Sequence, residues 1–388
     1  MLELEIKNKL KKRKKLNLQR IRHRIIKNEC NHIYIGGETY INFSSNDYLG
    51  LNKHPGVFDG WFRGVKKYGL GSGGSPLVCG YTEAQNEFEC AFSQWFGCEK
   101  SILFNSGYQA NIGLLSALLN KNKTIYADKL CHASIIDGML LSRANYKRYH
   151  HNDMQHLASL INKVSADYII SESIFSMEGD IAPIKDLVAI AKKNHAGLII
   201  DDAHGIGVLG KDGKGVVEQF NMQENDYACI VVPLGKAFNA SGSMVCGSSD
   251  YIETMVQFAR SYGYSTAPSP ALSMALLATL DVLKNESWRR ERLKLNIRYF
   301  IYYAQQKKLK LISFDVTPIK SIIINNVKDL MRVHNNLLDK GFYVSAIRPP
   351  TVPINKQRLR ISVNCLHTHE QITALIDSIA EAVDVDNR

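Results

Sequence analysis

The chain has 388 residues, of which 45% are hydrophobic and 22% charged, with 27 Gly and 10 Pro; these proportions exclude low-complexity and collagen-like chains. No apolar run approaches the ~18 residues of a membrane span, and a chain this long can bury a large core without staples. The formal net charge is +11, yet residues 1–24 hold ten Lys and Arg against only Glu3 and Glu5, so the basic character belongs to an N-terminal arm and not to the body of the protein.

The arm is expected to be a solvated amphipathic helix with Ile6, Leu10 and Leu16 facing the body. The alternative is a contact with nucleic acid or anionic lipid, but no basic stripe with interleaved aromatics lies downstream of it. The start, Met1-Leu2-Glu3-Leu4-Glu5, lacks the apolar stretch of a secretory signal. Eight cysteines are thinly spread with no C-x-x-C pair, which predicts reduced thiols and a cytoplasmic protein rather than a disulfide framework or zinc site.

Residues 40–43 read as extended and 44–51 as turn chemistry. From about residue 100, short apolar runs alternate with helical patterns: strands at 101–104, 124–127, 168–171, 198–200 and 229–232, helices at 110–119, 134–142 and 184–193. Buried strands alternating with helices predict an α/β fold with a mostly parallel sheet. A long helical stretch at 283–306 then precedes strands at 309–313, 321–324, 342–346 and 358–363 and helices at 327–339 and 369–383, which suggests a smaller C-terminal α+β domain. The expected organisation is an arm over 1–44, a large domain over 45–282 and the smaller domain over 283–388.

Ligands of open α/β sheets bind beyond the carboxyl ends of the strands. Those ends carry Ser106-Gly107-Tyr108-Gln109-Ala110-Asn111 opening a helix, Asp128 and His132, Glu172 and Ser176, Asp201-Asp202-Ala203-His204-Gly205, and Pro233-Leu234-Gly235-Lys236. A Gly-containing turn at a helix N-terminus offers N–H groups to a phosphate. Alone, a Lys after a strand is normally a solvated residue, and an Asp there is usually a helix cap. Together, an anion cradle, an acid, a His and a Lys able to form a Schiff base are the parts that a pyridoxal 5′-phosphate (PLP) enzyme needs.

Three other patterns point elsewhere. Gly69–Gly74 satisfies G-x-G-x-x-G, but no strand precedes it and Pro76 interrupts any helix after it. Gly205 to Lys211 spells G-x-x-x-x-G-K, with Asp212 in place of the required Ser or Thr. His150, His151, Asp153 and His156 fit no common zinc spacing and read as a solvated loop; the alternative is a metal-dependent hydrolase.

The chain resembles the α-oxoamine synthases, PLP enzymes of fold type I (aspartate aminotransferase-like) that condense an amino acid with an acyl thioester. The resemblance runs from about Arg20 to the C-terminal helix and rests on Ser45-Asn46-Asp47-Tyr48-Leu49-Gly50-Leu51, Gly71-Ser72-Gly73-Gly74-Ser75, Cys131-His132-Ala133-Ser134, Phe175-Ser176-Met177-Glu178-Gly179-Asp180, Asp201-Asp202-Ala203-His204-Gly205 and Gly235-Lys236-Ala237-Phe238. Within the family, the segment from Ser345 to Pro353, Arg358-Leu359-Arg360 and His151-Asn152-Asp153 point to the members that use L-alanine and a pimeloyl thioester in biotin biosynthesis.

By that resemblance Lys236 holds PLP covalently, Asp201 pairs with the pyridinium nitrogen and His132 stacks on the ring. His204 and Ser176 bond near the phenolic oxygen or ring substituents, and the Gly107 and Tyr108 backbone holds the phosphate. Thr266 resembles a phosphate contact given by the partner subunit, which implies a homodimer with shared sites. Arg360 is expected to take the substrate α-carboxylate as a bidentate fork, with Arg20, Asn46 and Thr351 in the substrate pocket. The partners implied are small molecules, L-alanine and an acyl thioester on CoA or an acyl carrier protein, with neither nucleic acid nor membrane. Two positions depart from the family: Pro233 stands where a phosphate-binding Ser or Thr is usual, and Asn239 where many relatives have Gly. Glycine-using synthases and serine palmitoyltransferase are the nearest alternatives.

Overall fold

The computed structural model describes residues 2–384, which form two compact units. One comprises the residues up to Tyr48, Met177–Asp180 and those from Glu291 onward; the other comprises Leu49–Ser176 and Ile181–Arg290. Fourteen strands run in chain order: β1 (Ile25–Glu29), β2 (His32–Ile35), β3 (Glu38–Asn42), β4 (Lys100–Phe104), β5 (Thr124–Asp128), β6 (Asn145–Tyr149), β7 (Tyr168–Glu172), β8 (Gly197–Asp201), β9 (Cys229–Pro233), β10 (Ser243–Gly247), β11 (Ile319–Ile323), β12 (Phe342–Tyr343), β13 (Ser345–Ile347) and β14 (Arg358–Ser362).

The second unit is built on a seven-stranded sheet of order β4-β10-β9-β8-β7-β5-β6. β5, β6, β7, β8 and β9 run parallel, while β10 pairs antiparallel with both β4 and β9. Every residue of β5, β9 and β10 is buried, as expected for strands covered by helices on both faces. Ile102, Leu114, Ile125, Ile170, Ile199, Val231 and Val245 share one core cluster, and burying each such side chain contributes about 1.5–3 kcal/mol. The helix Gly107–Leu118 starts three residues ahead of the expected position because Ser106 caps it, its side-chain oxygen accepting from the Gln109 N–H.

The first unit holds two small sheets, β1-β2-β3-β12 and β11-β14-β13. The single strand expected at 342–346 is split between them: Phe342 and Tyr343 pair with β3, whereas Ser345–Ile347 pair with β14. Residues 309–313 form no strand beyond one isolated bridge from Leu311 to Ile322. The expected helix over 283–306 is two helices, Pro270–Asn285 and Trp288–Gln306. Glu286 stands at the break, where its carboxylate takes His54 Nε2 at 3.0 Å and Arg289 Nε at 2.7 Å. The arm is helical over Leu2–Lys15, but none of its side chains is buried. Ile6, Leu10 and Leu16 are exposed, so the expected apolar face is not buried against the body. Among the described residues no helix is long and apolar enough to cross a membrane.

One buried carboxyl shapes the loop after β8. Asp202 is fully buried and accepts the Val216 N–H at 2.9 Å; burial pushes its carboxyl up to about 7. Gly215 lies against it at φ 74°, and a Cβ there would sit 1.9 Å from Asp202 Oδ2. Gly215→Ala combines a backbone conformation reserved for glycine with a clash against a buried polar group, and is expected to destabilise by about 2–5 kcal/mol. Urea denaturation of both proteins checks this.

Candidate active site

The carboxyl ends of β5, β7 and β8 bring Asp128, Glu172 and Asp201 into the interior of the second unit, all three buried. Parallel pairing puts Glu172 and Asp201 in register across β7 and β8, so two acids emerge side by side. Asp201 is held through both oxygens: Oδ2 accepts from Asn111 Nδ2 at 2.8 Å and Oδ1 from the Ala203 N–H at 3.0 Å. The Asn111 amide also donates to Ser134 Oγ at 2.9 Å, and Ser134 Oγ lies 2.8 Å from His132 Nδ1. A continuous chain of hydrogen bonds thus runs from Asp201 through Asn111 and Ser134 to His132, which itself caps the helix Ala133–Ser142. With Nδ1 engaged, the ring is set in one orientation while the residue stays exposed.

The electrostatics draw Lys236 into the same group. Desolvation lowers the His132 pKa; the Asp201 charge opposes the shift and the Lys236 ammonium adds to it, so the imidazole is neutral at neutral pH. Burial raises the Glu172 carboxyl well above the carboxylate range, with the Asp201 charge adding to the push and Lys236 opposing it. One Glu172 oxygen has no hydrogen-bond partner. Lys236 is half-buried, just beyond β9. Asn239, three residues on, adopts φ 50°. This is the left-handed region where Asn is the best non-glycine substitute.

At the N-terminus of the helix Gly107–Leu118, Pro233 packs directly against Gly107: a Cβ on Gly107 would lie 2.8 Å from Pro233 Cγ. The absence of a side chain there leaves the Gly107 and Tyr108 N–H groups presented by backbone alone. Thr266 sits beside this turn, its carbonyl accepting from Asn105 Nδ2 of the same chain at 2.6 Å. The Tyr108 hydroxyl donates to Asp137. His204 is buried in the turn after β8, and Ser176 is half-buried beyond the Ile174–Ile181 bridge. A helix N-terminus bared by glycine, a buried acid tied in place, an oriented neutral histidine and a half-buried lysine fit the phosphate, the ring nitrogen, the ring face and the aldehyde carbon of PLP.

The first unit holds the remaining expected residues as two pairs. Arg360, buried on β14, donates from Nη2 to Asn46 Oδ1 at 3.2 Å and from Nη1 to Ser362 Oγ at 3.0 Å. Tyr48, beside them and donating to Asn46 Oδ1, has its phenol pushed up to about 12 by burial despite the guanidinium. Arg20 Nη2 donates to Thr351 Oγ1 at 2.8 Å.

Sequence reasoning passed over Asn111, Ser134 and Glu172 as site residues. Asn111 lies one helical turn beyond Gly107, on the face that meets the strand ends, and that spacing was the available signal. The histidine-rich loop is internally satisfied: His150 and His156 stack at 4.0 Å, the His150 N–H donates to His156 Nδ1, and His151 Nδ1 lies 3.0 Å from Asp128 Oδ1.

A carboxyl kept protonated in the fold but ionised in the unfolded chain contributes stability that is lost as pH rises above its unfolded value, ~4.3 for Glu. Glu172→Gln removes that loss. The stability of the variant relative to the parent is therefore expected to grow between pH 5 and pH 8; denaturant titrations at the two pH values measure it, and a constant difference would place the Glu172 proton elsewhere.

The sequence profile described as "Aminotransferase class I and II" matches residues 38–379. A curated 8-amino-7-oxononanoate synthase of Pseudomonas putida (strain GB-1) is 39% identical over 381 residues, covering 98% of this chain and 97% of the relative. The solved 8-amino-7-oxononanoate synthase of Francisella tularensis superposes with a TM-score of 0.81 at 34% identity, covering 90% of this chain and 99% of that one. A PLP-bound serine palmitoyltransferase of S. paucimobilis superposes with a TM-score of 0.91 at 26% identity, covering 99% and 98%. The chain belongs to the aminotransferase class I and II family and, within it, to the PLP-dependent 8-amino-7-oxononanoate synthases.

Proposed function

We propose that the protein condenses L-alanine with a pimeloyl thioester, releasing 8-amino-7-oxononanoate, CO2 and the free thiol, in the cytoplasm. The observation that carries this reading is the Asp201–Asn111–Ser134–His132 chain in electrostatic reach of Lys236, joined to family membership over nearly the whole chain.

When bound to Lys236, PLP supplies an electron sink that stabilises negative charge at the substrate Cα. Asp201, fixed through both oxygens, would pair with the ring nitrogen and keep the sink strong. His132, neutral and oriented by Ser134, would stack on one ring face. His204 and Ser176 would hold the ring substituents, while the Gly107 and Tyr108 N–H groups, with Thr266 of the partner subunit, would bind the phosphate. Lys236 would hold PLP, and its Nζ is the base that would take the substrate Cα proton and return one. Glu172, protonated by burial, offers a donor beside Asp201 without adding a second charge. Arg360 takes the α-carboxylate, with Asn46 fixing the guanidinium plane, and Arg20 and Thr351 hold the acyl donor. The carboxylate leaves as CO2 once the new carbon–carbon bond has formed.

A homodimer is proposed with it. Leu77, Val78, Phe258 and Tyr264 are exposed around one cavity of the second unit that Thr266 also lines, and a second copy is the occupant that would cover them.

Lys236→Ala is expected to lower kcat by more than about 10³-fold and abolish the visible absorption of the bound cofactor; retained turnover would remove Lys236 from its role. Titrating that absorption with L-alanine, glycine and L-serine separates the substrates: half-saturation lowest for L-alanine supports the reading, and lowest for glycine or serine replaces it with another α-oxoamine synthase activity. Arg360→Ala is expected to raise the KM for L-alanine about 30- to 150-fold, the loss of a charge-assisted bidentate contact, with little change in the KM for the thioester.

A further inference from the structure

Three buried thiols stand at the foot of the seven-stranded sheet, at the strand ends remote from Lys236. Cys98 precedes β4 by two residues, Cys229 opens β9, and Cys246 is the last residue but one of β10. The sheet divides them. Cys229 pairs with Gly247 and belongs to the core cluster that holds Ile102 and Val245. Cys246 pairs with Ser101 across β10 and β4; each follows or precedes a cluster residue by one position, so both point to the opposite face. There Ser93 Oγ, on the helix Glu83–Phe96, donates to Ser101 Oγ at 2.8 Å. That helix ends at Gly97, whose φ of 89° turns the chain, and the Cys98 N–H is held by the Ser93 carbonyl at 3.2 Å. The turn delivers Cys98 onto the face that Cys246 occupies. Cys98 Sγ donates to the Lys100 carbonyl at 3.4 Å, and the Cys246 thiol hydrogen-bonds to Cys98.

The two thiols are unequal. The bond from Cys246, with Ser93 adding to it, favours the Cys98 thiolate and lowers its pKa, against burial and the Glu224 charge. Burial first, then the bond to Cys98, keeps the proton on Cys246. Cys98 retains 9% of its exposure and Cys246 none. A thiolate within reach of a small oxidant, beside a sealed thiol, is the arrangement of an attacking and a resolving cysteine. We propose that Cys98 and Cys246 form a modification site, joined reversibly as a disulfide by hydrogen peroxide. The Cys98 sulfur attacks one peroxide oxygen; the O–O bond breaks, Cys98 becomes a sulfenic acid, and the other oxygen leaves as water. Cys246 gives up its proton and attacks that sulfur; the S–S bond forms, the S–O bond breaks, and a second water leaves. In sum two thiols lose two electrons and two protons, and one peroxide is reduced to two waters; a dithiol reverses the change. The bond has a mechanical consequence for the candidate site. β4 leads into the Ser106–Gly107 turn and β10 begins just after the loop that follows Lys236, with a Ser106–Gly242 bridge joining them at that end. The disulfide ties the opposite end of the same β4–β10 pair, restraining both strands without touching the residues of the site.

Titration of the PLP-loaded protein with hydrogen peroxide, then alkylation in denaturant and peptide mass mapping, tests the site. The expected product is an intramolecular cross-link between the Cys98 and Cys246 peptides, with two hydrogens lost and both regained on treatment with dithiothreitol. The cross-linked protein is expected to melt about 5 °C higher, because the bond closes a long loop of chain. Cys98→Ser is expected to abolish both the cross-link and the shift, whereas Cys229→Ala, on the other face of the sheet, keeps both. Cys246→Ala removes the resolving thiol and is expected to leave Cys98 as a sulfenic acid that dimedone captures. Alkylation of both Cys98 and Cys246 after peroxide has consumed the exposed Cys30, Cys79 and Cys90 would overturn the proposal. So would a cross-link from Cys98 to Cys229, or a Cys246→Ala protein whose Cys98 is not captured. The mapping on the unaltered chain decides the pairing even where a variant fails to fold.

Discussion

The fold of the second unit turns on placing acids where water does not reach. Asp128, Glu172 and Asp201 are all buried, and each costs several kcal/mol of desolvation unless it is bonded or protonated. Each is handled differently. Asp128 accepts the Leu130 and Asn152 N–H groups and meets His151. Asp201 is tied by Asn111 and Ala203. Glu172 keeps its proton. The loops after β5 and β8 take their paths from these bonds, so the arrangement that makes the site chemically useful is also what orders the polypeptide around it.

The same economy explains how far the sequence was readable. The buried strands declare themselves as short apolar runs because parallel strands covered on both faces need nothing else, and the residues just past their ends are the ones gathered in the candidate site. What the sequence does not carry is distance along the chain collapsed by tertiary pairing. Phe342 and Tyr343 read as the start of one strand with residues 344–346, yet they pair with β3, some three hundred residues earlier, while Ser345 onward pairs with β14. Glu286 breaks a helical pattern that periodicity alone continues, because two partners distant or near in sequence, His54 and Arg289, claim its carboxylate. Glu172 was visible as a strand-end acid, but its protonated state comes from register with Asp201 and from burial, neither of which a sequence displays. Lys236, Asp201 and His132 stand out in the sequence because their residue types are tied to specific chemistry; Asn111 and Ser134 do not, since an amide and a hydroxyl serve caps and turns far more often than they bridge an acid to a histidine.

Pro233 shows how a departure can be absorbed. A hydroxyl there would donate to the phosphate, and proline offers neither hydroxyl nor N–H. As the last residue of β9 it pairs with Ser243 on β10 and lies against Gly107, so its ring fixes the spacing between the strand end and the helix N-terminus. The Gly107 and Tyr108 N–H groups beside it stand at a helix N-terminus, where the helix dipole favours an anion.

Arginines in the first unit fall into two patterns that differ in consequence. Arg358 meets the Glu178 carboxylate at 2.7 Å with both side chains largely buried, an ion pair whose charge is consumed within the fold. Arg13, Arg20 and Arg348 instead donate to a carbonyl, a hydroxyl and a carbonyl. Neutral acceptors orient a guanidinium without cancelling its field. The first pattern holds a structure together; the second keeps positive charge at a fixed place, with Arg13 and Arg20 acting on Arg348 as like charges. A helix with no buried side chain gains little from packing, so its basic composition and the three arginines at its C-terminal end are best understood as one electrostatic device.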